Sequence, residues 1–437
     1  MKIQSKKMTA CFTMILVIFL IGCGSGSKKK LFNSTEFREA RFCEKCHGEI
    51  FDQWKGSTHY YAQEDPIYQK VYLLAEKETK GEAEKFCAAS VCHTPIGHLG
   101  TEIPPIDGSG LTDIAKRGVQ CDFCHTISDM DKVGDGSYIM SPGNVKRGPL
   151  DDSESPTHKT KFSRMHTEAR FCGICHNVNH PLSGLALEAT FTEWEEGPYN
   201  TGDPETSTSC QDCHMTPGPG ETYPNPGKAS SIGPGRKHIF THYFSGANVA
   251  LAKLRGSEQH AKLAEETLKA AASINIGGPD AAARDGSFAI DVTVTNIGAG
   301  HKIPTGLTEM RQMWLEVTAV DGKGSYIFSS GFVDPNGRID PGAVIYHTVV
   351  VDDKGKKTTH VWFAEKILSD YRIDPGQSKV EKYEIKVPAD VVGPLTVVAK
   401  LRYRSGPQSL VDELLGADSI KLPITDMATG SITVQIP

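Results

Sequence analysis

Ten of the twelve cysteines lie between positions 43 and 213, and eight of them form four copies of one pattern. Cys43-Glu-Lys-Cys46-His47, Cys121-Asp-Phe-Cys124-His125, Cys172-Gly-Ile-Cys175-His176 and Cys210-Gln-Asp-Cys213-His214 all read C-x-x-C-H. Covalent haem attachment requires this grouping. Two thiols add to the porphyrin vinyl groups, and the histidine that follows reaches the iron from the proximal face. Zinc sites and disulfides can also use paired cysteines, but neither needs a histidine directly after every second one. A fifth pattern is irregular: Cys87-Ala-Ala-Ser-Val-Cys92-His93 has four residues between its cysteines. It could hold haem through a bulged loop, through one thioether from Cys92, or not at all. A basic-Phe-Cys lead-in shared by Arg41-Phe42-Cys43, Lys85-Phe86-Cys87 and Arg170-Phe171-Cys172 places Cys87 in the first-cysteine position and favours attachment. The expected complement is therefore about five covalent haems c, with His47, His93, His125, His176 and His214 as proximal ligands.

Five proximal ligands leave eleven of the sixteen histidines as possible second axial ligands, and spacing alone does not choose among them. One internal repeat is informative. Phe51-Asp-Gln-Trp54 precedes His59 by five residues, and Phe191-Thr-Glu-Trp194 precedes Tyr199 by five. Tyr199 thus stands where the first copy has a histidine, as a ligand or simply as a packing residue. Roughly forty residues per haem cannot build a large apolar core, so the cofactors themselves must supply much of the packing and must lie close together.

The elements that position these groups fall into two parts. With 437 residues, 38% hydrophobic and 23% charged, the chain fits two domains and is neither disordered nor membrane-embedded throughout. Its formal charge of -6 and lack of a basic patch exclude nucleic acid as a partner. Residues 1–22 read as an export signal: Lys2, Lys6 and Lys7, then an apolar run too short to span a bilayer, then Leu20-Ile21-Gly22-Cys23. The last four resemble a lipobox, with Cys23 as the lipidated residue; a single transmembrane anchor is the other reading. A flexible tether is expected over 23–34, a haem-bearing domain of helices and irregular loops over 35–245, and a connecting helix over 246–273 broken only by Gly256. Long loops are expected at 130–157 and 217–235. From 274 to 437 the pattern alternates, as in Phe288-Ala-Ile-Asp-Val-Thr-Val-Thr and Trp314-Leu-Glu-Val-Thr-Ala-Val. About seven such strands predict an immunoglobulin-like β-sandwich without cysteine, so the fold class is α+β multidomain. Gly298-Ala-Gly-His301-Lys-Ile-Pro304 lies on a loop of this domain, as an incidental turn histidine or as a ligand handed across the domain boundary.

Taken in order, FCEKCHGEIFDQWKGSTH, FCAASVCHTPIG, GVQCDFCHTI, SPTHKTKFSRMHTEARFCGICHNVNHP, CQDCHM, THYFSGAN and GAGHKIPTG resemble the multihaem cytochromes c of the c-554 type, in long form with an appended β domain. The resemblance implies bis-histidine haems and electron transfer. Carried over position by position, it implies His59, His158, His166, His242 and His301 as distal ligands, without assigning each to an iron. The four-residue spacer after Cys87 departs from the family's commoner form. The expected protein is an electron carrier more than a catalyst: an exported lipoprotein at the periplasmic or cell-surface face of an outer membrane, exchanging electrons with other redox proteins. An oxyanion reductase with one open haem, and a structural subunit joining haems into a conduit, are the competing classes.

Overall fold

The computed structural model describes residues 32–83, 89–102, 109–203, 206–221, 224–417 and 419–437. The export signal, Cys23, most of the tether and Cys87 lie outside the described residues. Among those described, no helix is long and apolar enough to cross a membrane.

The first part of the chain is a set of short helices joined by irregular loops. Helix α1 (Ala40–Lys55) carries the first motif on its opening turns and buries Ala40, Phe51 and Trp54. Its backbone leaves helical geometry at His47 (φ -110°, ψ 38°), so the motif histidine sits at a kink. Helix α2 (Pro66–Glu78) starts where Asp65 accepts backbone hydrogen bonds from Ile67 and Tyr68, with Pro66 in the first turn, where no partner is needed for its missing N–H. Then come α3 (Ala89–His93), α4 (Pro95–Leu99), α5 (Cys121–Cys124), α6 (Arg170–Gly173), α7 (Thr190–Glu195) and α8 (Cys210–His214). Buried apolar residues here form only small clusters, such as Phe37, Ile96, Leu99, Phe123 and Ile174. The loop expected at 130–157 contains pairing that composition hid. Ile127–Met130 runs antiparallel to Tyr138–Met140, and Val145–Gly148 pairs in parallel with Lys159–Phe162.

The connector is two helices rather than one. Helix α9 (Val249–Leu254) stops at Gly256, whose φ of +67° no helix can accommodate, and α10 (Glu258–Ala271) begins after it. Helix α10 buries Ala261, Leu263, Ala264 and Leu268 and runs directly into the first strand.

The second part is an immunoglobulin-like β-sandwich. Strands β1 (Ala272–Gly277) and β2 (Ser287–Asn296) form a three-stranded antiparallel sheet with β9 (Ser378–Lys386), in the order β9-β2-β1. The facing sheet has the order β4-β3-β10-β11, with β3 (Gln312–Val320), β4 (Tyr326–Ser330), β10 (Leu395–Arg404) and β11 (Thr425–Val434); β5 (Ile345–Tyr346) also pairs with β3. Alternate residues point inward, as Ile290, Val292 and Val294 do on β2 and Val397, Ala399 and Leu401 on β10. Together they make one continuous core, which no cluster of the haem-bearing part matches in extent.

A third small sheet, β6 (Thr348–Val351), β7 (Lys357–Thr358) and β8 (Lys366–Asp370), docks the sandwich onto the first part. Trp362 and Val361 pack with Tyr72 and Ala75 of α2, and Glu78 accepts hydrogen bonds from Trp362 Nε1 and His360 Nδ1, both at 2.9 Å. A buried ion pair, Arg372 Nη1 to Glu193 Oε1 at 2.6 Å, joins the two parts beside α7, with side chains only 9% and 7% exposed. Removing one member of such a pair leaves the other charge buried and uncompensated, which costs about 3–5 kcal/mol. Arg372→Met is therefore expected to lower the denaturation midpoint of the chain while leaving its haem content unchanged.

Candidate haem-binding sites

In each C-x-x-C-H motif the cysteines three residues apart lie on one face of a helical turn, the arrangement two thioethers to one porphyrin require. Each motif histidine also has its ring turned in a defined way. His47 Nδ1 donates to Ala229 O (2.6 Å), His93 Nδ1 to Ala62 O (2.8 Å), His125 Nδ1 to Arg147 O (2.6 Å) and His214 Nδ1 to Ser245 O (2.6 Å). His176 Nδ1 donates to Glu188 Oε1 (3.2 Å). With the proton fixed on Nδ1, the Nε2 lone pair is free for a metal in all five. These acceptors come from different elements: Arg147 lies in the strand Val145–Gly148, and Ala229 in the irregular 217–235 stretch. Sequence reading gave no sign of the acceptors, because a backbone carbonyl has no residue type.

An imidazole nitrogen sits about 2 Å from a first-row metal, so two rings ligating one ion from opposite faces have centroids about 6 Å apart. Five histidine pairs stand near that separation; His125 has two such neighbours, His242 and His166, and four pairs each use a different motif histidine. His47 faces His158 at 6.4 Å, His125 faces His242 at 6.3 Å, His176 faces His59 at 6.2 Å, and His214 faces His301 at 6.4 Å. Burial pushes His59 and His242 down to about 3 and His301 to about 4, so these rings are neutral, as ligation demands. Together with the thiols, this donor set fits haem c at four motifs.

His166 departs from the expectation. Its ring lies 5.8 Å from that of His125, but both nitrogens are engaged within the protein: Nδ1 with Ser163 Oγ (2.8 Å) and Nε2 with Cys124 O (3.1 Å). It braces the backbone of the His125 motif, and of the two rings near His125 it is His242 that would hold a haem iron there. His93 is left without a facing histidine among the described residues; its ring is stacked flat against Tyr68, 4.0 Å away at 11°. Two histidines outside the expected set also serve structure: His180 Nε2 donates to Trp362 O and His260 Nε2 to Gln53 O.

The Phe-x-x-Trp repeat is a true structural duplication. Trp54 Nε1 donates to Val119 O, and the Val119 N–H donates to His59 O. Trp194 Nε1 donates to Thr208 O, and the Thr208 N–H donates to Tyr199 O. Val119 and Thr208 each lie two residues before a motif cysteine, so each copy clamps the next motif in the same way. Tyr199 therefore occupies the site of His59 as a packing residue, and the ligand comes from elsewhere. Gly300 of the sandwich lies against the Tyr199 and Trp194 rings, where a Cβ would meet atoms at 3.3 and 3.4 Å, and the next residue is His301. Asn296, fully buried at the end of β2, holds this loop: its Nδ2 donates to His301 O (2.9 Å) and Ile373 O (3.2 Å), and its Oδ1 accepts from Ala299 N (3.0 Å).

Neighbouring motifs touch. The thiols of Cys43 and Cys121, of Cys92 and Cys175, and of Cys172 and Cys210 are close enough to interact, and the described cysteines form no disulfide. The motifs thus run in the spatial order His47, His125, His176, His214, with the His93 motif branching from His176; Cys124 and Cys175 are close enough to interact electrostatically.

Motifs, ring pairs and a sandwich that reaches back to the last motif define a multihaem c-type cytochrome. Residues 42–126 match the family model described as cytochrome c554 and c-prime. Its fold is similar to that of a penta-heme cytochrome c552 from Thermochromatium tepidum, at 21% identity and TM-score 0.64, covering 91% of this chain and 99% of that one. MtrC from Shewanella baltica OS185 matches at 12% identity over 61% of this chain and 36% of its own, with TM-score 0.20. A CARDB domain from Pyrococcus furiosus matches at 11% identity over 38% of this chain and 87% of its own, with TM-score 0.19. No curated protein matches the chain.

Proposed function

We propose that the protein is a membrane-anchored relay that passes electrons along five covalent haems, four of them closed by paired histidines. The observation that carries this reading is the set of four ring pairs at iron-spanning separation, on motifs whose cysteines touch those of their neighbours. When bound, each haem iron supplies one-electron redox chemistry, at a potential set by ligands and burial over about 0.8 V. The protein's own part is to hold five proximal rings with Nε2 free, to supply His158, His59, His242 and His301 opposite four of them, and to keep the motifs in contact. Intact mass and haemochrome absorbance of the mature protein should both give five haems per chain. Four would mean that the Cys87–Cys92 site is empty, and three or fewer would overturn the pentahaem reading.

Anchoring rests on Leu20-Ile21-Gly22-Cys23 and on the tether that follows. A diacylglyceryl group with N-acylation gives the multiple chains that stable attachment needs. Cys23→Ser is expected to move the protein into the soluble fraction; retention in the membrane with the signal uncut would instead make the anchor a helix. The outer membrane is the proposed destination, with other redox proteins as donor and acceptor. Among the described residues no histidine faces His93, which favours a second reading in which that haem is open to a small ligand and the chain is an oxidoreductase.

A further inference from the structure

The five motif histidines share a rule with one exception. Four donate Nδ1–H to a neutral backbone carbonyl, of Ala229, Ala62, Arg147 and Ser245. The fifth, His176, donates to the carboxylate of Glu188. Glu188 is held in place by a hydrogen bond from Thr190 Oγ1 (3.3 Å), and Thr190 Oγ1 lies 2.6 Å from Thr305 Oγ1, four residues beyond His301 on the same sandwich loop. The carboxylate is thus a braced part of the structure rather than a chance surface neighbour.

A carboxylate behind an imidazole does what a carbonyl cannot. It draws the Nδ1 proton toward itself and raises the electron density and basicity of Nε2. A more basic ligand stabilises ferric over ferrous iron, and a fixed negative charge beside that ligand opposes the added electron again. Both effects push the potential in the same direction. His176 also belongs to the motif at the branch of the array, since Cys172 touches Cys210 and Cys175 touches Cys92.

We propose that Glu188 makes the haem on His176 the lowest-potential centre of the chain, so that the junction of the array passes electrons between its branches without retaining them. The outer haems then fill first and the junction last, which keeps electrons on separate arms. Glu188 acts through His176, as a positioning residue. This inference rests on the multihaem relay reading.

The test is a spectroelectrochemical titration of the full-length holoprotein. In Glu188→Gln, which keeps an acceptor oxygen but removes the charge, the lowest midpoint should rise by about 59 mV or more. That is a tenfold or larger change in the one-electron equilibrium, with the other midpoints moving less. One low-spin EPR signal should change with it. Glu196→Gln, an exposed carboxylate on the same stretch, controls for net charge. Midpoints superimposable on wild type, or all displaced equally as in the control, would overturn the proposal. If Glu188→Gln matures poorly, wild type decides: the last low-spin signal lost on reduction must be the one that His59→Ala turns high-spin, and any other identity overturns the proposal. Peptide mapping keeps the two readings apart, because absence of haem on Cys172 and Cys175 in wild type sinks the relay reading, whereas full haem content with unchanged potentials sinks only this one.

Discussion

His301→Ala is expected to turn one of the low-spin haems high-spin while all haems remain attached. His301 belongs to a domain that contains no cysteine, yet its ring lies 6.4 Å from that of His214 and only 11° from parallel with it. The loop has little freedom to place another group there. Asn296 fixes its backbone at two points, Ile303 and Ile373 exchange backbone hydrogen bonds beyond it, and Gly300 packs against Tyr199. Alanine therefore leaves the sixth position of that iron without a protein ligand. EPR and the visible spectrum of the oxidised protein would read the change, and haemochrome absorbance would show that attachment, which depends on Cys210 and Cys213, is intact. His166→Ala is the informative contrast. Both its ring nitrogens are bonded to protein, so its loss should cost about 1–3 kcal/mol of stability through Ser163 and Cys124 and leave every spin state as it was. A high-spin haem in His166→Ala, or an unchanged spectrum in His301→Ala, would reverse the assignment of these two residues.

The reduced protein is expected to bind one carbon monoxide per chain. Four motif histidines have an imidazole opposite them, and His93 has none among the described residues. Tyr68 does not close that position: at 4.0 Å and 11° it lies flat on the face of the His93 ring, a packing contact, while His93 Nδ1 is committed to Ala62 O. The exogenous ligand should therefore add at the His93 haem alone, with the difference spectrum saturating at a single equivalent. No binding would show that all five irons are closed and would leave the pure relay. Two or more equivalents would show that one of the four ring pairs does not ligate. Saturation at one equivalent strengthens the oxidoreductase reading, which then needs a proton donor beside that haem.

Attachment chemistry was legible in the sequence because it is local. Two thiols and a histidine must lie within one or two helical turns to serve one porphyrin, so C-x-x-C-H betrays its own function. The sandwich was legible for a similar reason. Inward and outward residues alternate along β2, β3 and β10, and that period is written in the order of residues. The short ribbons within 130–157 were not, since two- to four-residue strands rich in glycine and polar residues carry no periodicity.

Axial pairing belongs to the other kind of property. His47 meets His158, His176 meets His59 and His214 meets His301 across about 90 to 120 residues, and only the folded chain brings each pair to a common span. Resemblance offered five distal histidines, but it could not tell the four that face an open Nε2 from His166, whose nitrogens the local backbone had already taken. The same holds for Tyr199. By itself the repeat left Tyr199 as a ligand or a packing residue; in the fold it packs, and His301 of the second domain is the ring that faces His214. The sequence determined which residues can bind haem, and where, because covalent attachment is a short-range requirement. Which imidazoles face each motif histidine and which proximal ring is backed by the charge of Glu188 were decided by tertiary structure, since those depend on distances between groups that the chain order leaves far apart.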